Sequence, residues 1–183
     1  MLSGLNDKLV LHVCCAVCCC GLVKTLRERF SVTLFFYNPN IHPKEEYQKR
    51  KEAVLLISKA LDVDFYEAEY CPNKWLAMVM GYEAEPEGAK RCLLCFKERL
   101  NKTAEYAKKA GAGYFSTTLL ASHQKNEQVI SNIGQEVGQQ WEVDFLNLED
   151  LKINKKEILA QARQVSLGVV LYRQTYCGCI FSL

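Results

Sequence analysis

The chain of 183 residues predicts an α/β fold, a doubly wound, mostly parallel sheet of about five strands. Three observations carry that prediction. Short apolar β-forming runs alternate with helical stretches from one end to the other. The strand runs are apolar enough to be covered on both faces, as parallel strands are. The length suits one domain, and no internal repeat, low-complexity segment or linker divides residues 1–183.

The elements follow in order. "KLVLHVCC" is the first strand with a cysteine loop at its end, and "GLVKTLRERF" places Leu22, Val23, Leu26 and Phe30 at helical spacing. Cys19 and Cys20 fall inside that helix region. "VTLFFYN" is a second buried strand closed by Asn38-Pro39-Asn40. His42-Pro43 then opens a long helix through "KEEYQKRKEAVLLISKAL", Pro43 fitting a first helical turn through its missing N–H. "VDFYEAEY" is a third strand, "NKWLAMVMGY" a short helix and "EAEPEGAK" an exposed loop. "RCLLCFKERLNKTAEYAKKAG" is a long helix with Gly111 as its C-terminal cap. "YFSTTLL" is the fourth strand, "NEQVISNIGQEVGQQW" a helix, "VDFLNL" the fifth strand and "NKKEILAQARQVSLG" the last helix.

In an open α/β sheet, ligands sit outside the carboxyl ends of the strands. Cys14, Cys15 and Cys18 lie beyond the first strand, Asn38 and Asn40 beyond the second, and Ser122 and His123 beyond the fourth. These pieces are expected to converge.

Composition limits the function classes. Hydrophobic content of 49% and charged content of 24% are those of an ordinary globule. No apolar run approaches the roughly 20 residues of a membrane helix, so no membrane partner is expected. The start has neither a basic region nor a small-residue cleavage site, and the expected location is the cytoplasm. A net charge of +2 does not mark a nucleic-acid binder, although basic residues gather in "YQKRKE", "AKRC" and "FKERLNK". Ten cysteines in a reducing compartment argue for metal or redox chemistry ahead of disulfides.

Seven of the ten fall into three groups: Cys14, Cys15 and Cys18; Cys92 and Cys95; Cys177 and Cys179. Cys92 and Cys95 stand three residues apart, which puts both sulfurs on one helix face, and a helix start favours thiolate. Gly178 leaves the backbone between Cys177 and Cys179 free to turn. A tetrahedral zinc or one four-iron cluster takes four ligands, so seven fit a four-ligand centre and a second, three-ligand metal with an open position. Cys19, Cys20 and Cys71 lack partner spacing and are read as packing thiols. His12 is read as a structural histidine. Tyr37, Tyr47, Tyr172 and Tyr176 are core aromatics or platforms for an unstacked base, and Glu46 with Arg50 fits a solvated helix pair.

The segments "HVCCAVC", "FFYNPNIHPKEEYQKR", "KRCLLCFKERL", "YFSTTLL" and "LYRQTYCGCIFSL" together resemble the QueH-type epoxyqueuosine reductase family, from about residue 9 to the terminus. The resemblance implies a single catalytic domain for the last step of queuosine biosynthesis, reduction of the epoxide of epoxyqueuosine in the tRNA wobble nucleotide to a cyclopentene. It implies a 4Fe-4S cluster and a neighbouring mononuclear iron. The family's pattern has Pro where Val17 stands and where His123 follows Ser122, departures that bear on loop geometry, and some members carry Asp in place of Cys18. The fold also resembles the adenine-nucleotide-hydrolase-like (HUP) group. An ATP pyrophosphatase of that group carries Ser-Gly-Gly-x-Asp-Ser after the first strand; "CCAVCC" stands there instead, so no phosphate cradle and no ATP use are expected.

Removing an epoxide oxygen as water takes two electrons and two protons, and side chains cannot supply the electrons. The division taken here puts the cluster on Cys92, Cys95, Cys177 and Cys179 and the second iron on Cys14, Cys15 and Cys18, although sequence alone does not say which thiols share an iron. Tyr37, His42 and His123 are the candidate proton donors. Asn38, Asn40, Arg50, Arg91, Arg99, Tyr172, Arg173 and Tyr176 are the candidate substrate contacts, the arginines on phosphates of the anticodon loop. An external electron donor completes the scheme. Two rivals are a zinc-stabilised RNA-binding module without turnover and a thiol oxidoreductase using "RCLLC". The first is colourless, unlike a brown iron–sulfur protein, and the second leaves the other cysteine motifs unused.

Overall fold

Leu9, Val10 and Leu11 of β1 (Lys8–His12) are all buried, because the strand is paired on both edges and helices lie against both faces of the sheet. The computed structural model describes residues 7–164 and 172–182. Beside β1 run β2 (Ser31–Phe36) and β4 (Tyr114–Thr117), with β3 (Asp64–Glu67) and β5 (Asp144–Phe145) at the edges in the order β3-β2-β1-β4-β5. Every pairing is parallel, as expected, with Leu9 opposite Val32 in β2 and Tyr114 in β4.

The connecting helices form two layers. α1 (Ala16–Leu26) packs against α2 (Lys44–Leu61) and α6 (Lys155–Gln164); α4 (Lys90–Lys109) packs against α5 (Glu127–Trp141). The short α3 (Pro72–Met78) starts on its proline, where a missing N–H costs nothing. α1 and α6 meet backbone to backbone: a Cβ on Gly21 would stand 2.0 Å from the carbonyl oxygen of Ile158. That approach admits only glycine.

Several boundaries differ from the sequence expectation. α1 begins at Ala16, five residues before Gly21, and so takes in Cys18 along with Cys19 and Cys20, which were expected inside it. Ala16, Cys19, Cys20 and Val23 bury one face at helical spacing, and packing overrides the weak helix preference of cysteine. Val17 is its second residue, a position that also tolerates proline, so that departure leaves the loop intact. β4 ends at Thr117 and runs into a 3-10 turn (Thr118–Ala121), because the Thr117 hydroxyl accepts from the Leu119 N–H and caps the turn. β5 keeps two residues of an expected six. Pro43 is the N-cap of α2, and Gly111 follows the cap residue Ala110 with φ +65. The final part of the last predicted helix, residues 165–168, lies outside the described residues. Among the described residues no helix is long and apolar enough to cross a membrane.

β1 therefore ends beside both β2 and β4, at the point where the strand order reverses. The expected convergence of loops falls there.

Candidate metal centre

The floor of the site is a neutral histidine. His12, wholly buried at the end of β1, donates from Nε2 to the Tyr37 carbonyl at 3.2 Å and accepts at Nδ1 from the Thr117 hydroxyl at 2.8 Å. The carbonyl can only accept, which fixes this tautomer. Burial, helped by the Arg99 charge, holds its pKa down to about 3. It ties the ends of the three central strands together, in the structural role expected of it.

Above this floor Cys15 caps α1, leaving Cys14 in the loop and Cys18 on the first helical turn. These three thiols line a cavity of about 130 Å³ with Cys177, Arg50, Thr118, Lys125 and the polar Ser122, Gln124, Gln174 and Thr175. Cys14 Sγ lies 3.8 Å from the Thr118 hydroxyl. Contact with Cys15, then burial, pushes the Cys14 thiol well up. Cys15 is lowered by Cys14 but raised more by Cys18 and burial, to about 11.

α4 brings the second pair. Cys92 lies in its first turn, where its sulfur accepts from the Gly88 N–H at 3.2 Å, and Cys95 one turn on is buried and pushed up to about 11 by that burial. The third pair arrives on the C-terminal segment. Gly178 takes φ +102, which splays the two neighbours: Cys177 faces the cavity, while Cys179 packs with Cys95, Trp75 and Val79.

Arg99 stands where the three groups meet. It is 1% exposed, its Nε bonds the Cys95 carbonyl at 3.3 Å, and its Nη2 has no partner among the described residues. The groups whose charge acts on it are Cys95, Cys14, Cys177 and Cys92. A guanidinium cannot shed its proton, and an unpaired buried charge costs several kcal/mol. Loss of protons from the surrounding thiols on metal ligation would supply the missing counter-charge as anionic sulfur. The donor set is soft and cysteine-rich, which suits iron–sulfur or zinc chemistry. The thiols are gathered without forming a closed chelate: among the described residues no three His, Cys, Asp or Glu side chains are grouped tightly enough to hold one ion. Ligation thus requires side-chain rotation and loss of the thiol protons.

The other expected site residues divide. Tyr37 gives its hydroxyl to Glu98 at 2.8 Å and lines a separate groove with Tyr66 and Tyr106, away from the thiol cavity. Its expected approach to the thiols is corrected accordingly. His42 Nδ1 meets the Asn40 carbonyl at 3.0 Å and its ring packs on Trp75. His123 is exposed beside the cavity-lining Ser122 and Gln124. Asn38 donates to the Val13 carbonyl at 2.8 Å, and Asn40 is buried with both amide atoms unpartnered.

Three of the four arginines expected on phosphates are buried and engaged within the protein. Arg50 pairs with Glu46, so that pair is internal and not solvated; Arg91 donates to the carbonyls of Tyr82, Glu83 and Glu85; Arg99 serves the thiols. Only Arg173 is exposed. Tyr172 donates to Glu46 at 2.5 Å, and Tyr176 donates to the His42 carbonyl with its ring under Arg50, so both brace the C-terminal segment. Cys19 and Cys20 are buried in α1, and Cys71 caps α3 in the Tyr37 groove.

Lys125 is the residue that pattern reading missed. Its side chain is 10% exposed, and Nζ lies 3.4 Å from Cys177 Sγ and 3.3 Å from Glu87. The signal available was its place just past the fourth strand.

A family model described as epoxyqueuosine reductase QueH matches residues 9–183. The relative of that name in Streptococcus pyogenes serotype M1 is 36% identical, the match covering 98% of this chain and 72% of the relative. The Thermotoga maritima relative is 38% identical, with 95% and 89% covered. Among solved structures, the U34-tRNA thiolase NcsA from Methanococcus maripaludis with its 4Fe-4S cluster superposes with a TM-score of 0.57 at 12% identity, covering 96% of this chain and 62% of that one. That likeness concerns the fold alone.

Proposed function

The chain belongs to the epoxyqueuosine reductase QueH family, and from that premise we propose how its residues divide the work of reducing epoxyqueuosine in tRNA. The reaction takes two electrons and two protons, releases the epoxide oxygen as water and leaves a carbon–carbon double bond. In this reading Cys92, Cys95, Cys177 and Cys179 hold a 4Fe-4S cluster, and Cys14, Cys15 and Cys18 hold a second, mononuclear iron. When bound, these groups supply single electrons from an external donor and a Lewis acid for the oxygen. The observation that carries the assignment is the meeting of three cysteine groups from separate elements around the buried, half-partnered guanidinium of Arg99.

The chain's own residues then bind and orient. The cavity wall offers hydroxyl, amide and ammonium groups from Thr118, Ser122, Gln124, Gln174, Thr175 and Lys125 to a polar ring substituent. Gln174 Oε1 is buried there without a partner among the described residues, an acceptor for a substrate hydroxyl. Of the three expected proton donors, His123 alone has an exposed ring at the cavity rim, and it is proposed for that role. Exposed Arg173, with the half-buried Tyr176 ring, is proposed to meet the anticodon loop. Arg50 and Arg91 position loops instead of holding phosphate.

The test is conversion of epoxyqueuosine to queuosine in tRNA by the anaerobically purified chain with a chemical reductant, read by nucleoside analysis. Stoichiometric conversion is expected in the parent, and none once chelation has removed the metal. A metal-free protein that still converts the nucleoside would overturn the assignment.

A further inference from the structure

Two buried N–H donors beside the cysteines have no acceptor among the described residues. Trp75 Nε1 and Arg99 Nη2 are both unpartnered, on residues 2% and 1% exposed. A buried donor left unpaired costs about 1–3 kcal/mol, and native proteins tolerate few. Both lie against thiols of one proposed centre.

Trp75 is held firmly. It forms an apolar cluster with Val79, Cys95 and Cys179, and Phe181 stacks on its ring at 6.1 Å while His42 packs at 5.9 Å. The indole packs with Cys95 and Cys179 and opposes the rise that burial gives the Cys95 thiol, while its Nε1 has no hydrogen-bond partner among the described residues. Arg99 follows Cys95 by one turn of α4, bonds the Cys95 carbonyl through Nε at 3.3 Å, and leaves Nη2 buried without a partner among the described residues. The arrangement leaves two buried, unpartnered donors beside the cysteines in the protein interior, where a hydrogen bond is stronger than in water.

We propose that Trp75 is a positioning residue of the electron-transfer centre: its indole N–H, seconded by Arg99, donates a hydrogen bond to sulfur of the cluster held by Cys92, Cys95, Cys177 and Cys179. The inference rests on that ligand reading and adds to it. A hydrogen bond to sulfur strengthens when the sulfur gains negative charge, so it stabilises the reduced centre and raises its potential.

The test compares the anaerobically loaded parent with Trp75→Phe, which keeps a ring and deletes the N–H. Iron and sulfide per chain should match the parent. The midpoint potential should fall by up to roughly tenfold in the reduction equilibrium, about 59 mV for a one-electron couple. An intact centre with unchanged potential would overturn the proposal. A second measurement covers a variant that fails to load. The chain has two tryptophans, and Trp141 Nε1 already donates to Asn101 at 2.8 Å. With indole nitrogen-15 label, electron–nuclear double resonance on the reduced parent and on Trp141→Phe should both show a nitrogen-15 coupling and an exchangeable proton. Absence of both couplings from the loaded parent would equally overturn it. A parent without iron and sulfide would instead bring down the ligand reading, and this inference with it.

Discussion

Arg50 Nη1 donates to the carbonyl of Cys177 at 3.0 Å, so a helix that follows β2 holds the C-terminal cysteine pair in place. The same guanidinium reaches the Tyr176 carbonyl at 3.0 Å and Glu46 at 2.6 Å, and Tyr172 closes on the other Glu46 oxygen. The sequence shows Glu46 and Arg50 at a spacing that fits any exposed helix. The structure makes them a buried anchor.

Arg50→Ala therefore strands the Glu46 carboxylate inside the protein. Removing one member of a buried pair costs about 3–5 kcal/mol. Anaerobic urea denaturation should show a loss of that order together with reduced iron retention. A loss under about 1 kcal/mol would mean the pair is effectively solvated.

Gly178 and Gly111 both have positive φ, +102 and +65, but their surroundings differ. A Cβ on Gly178 meets Arg50 Nη1 and Ile41 at 3.0 Å, whereas one on Gly111 meets nothing within 4 Å. Each change to Ala should cost about 1–2 kcal/mol for the backbone alone. Only Gly178→Ala should also lower iron content, because it pushes the anchor away from Cys177. Equal iron in the two variants contradicts that link.

The sheet was legible because Leu9, Val10 and Leu11, and likewise Leu34, Phe35 and Phe36, are continuous apolar runs that need cover on both faces. The cysteine groups were legible from spacing. The start of α1 was not, since its face is built from cysteines, which pattern poorly as helix formers. Arg50, Arg91 and Arg99 misled for a physical reason. Charge in sequence does not reveal whether a guanidinium is spent on protein carbonyls and thiols, and burial decides that. Trp75 and Lys125 carry no motif, and only the fold sets them beside sulfur.

Cys19, Cys20 and Cys71 stand outside the proposed ligand set. Changing each to Ala should leave iron content and turnover near the parent and shift stability by about 1 kcal/mol, more for the buried Cys19 and Cys20 than for Cys71. Loss of iron in any one of them would add that residue to the ligands.

Cys18 is a finer test. Asp carries the charge of a thiolate and is a competent, harder iron ligand, so Cys18→Asp should keep the second metal and part of the activity. Cys18→Ala offers no ligand and should keep the brown colour while losing the extra iron and nearly all turnover. Full activity in the Ala variant would move Cys18 out of the site.

The most direct measurement is iron, zinc and acid-labile sulfide per chain on an anaerobic preparation shown, in the same sample, to reduce epoxyqueuosine in tRNA. Seven thiols in a four-ligand and a three-ligand set predict about four sulfides per chain with iron in excess of sulfide. An active preparation containing zinc as its only metal would contradict the assignment.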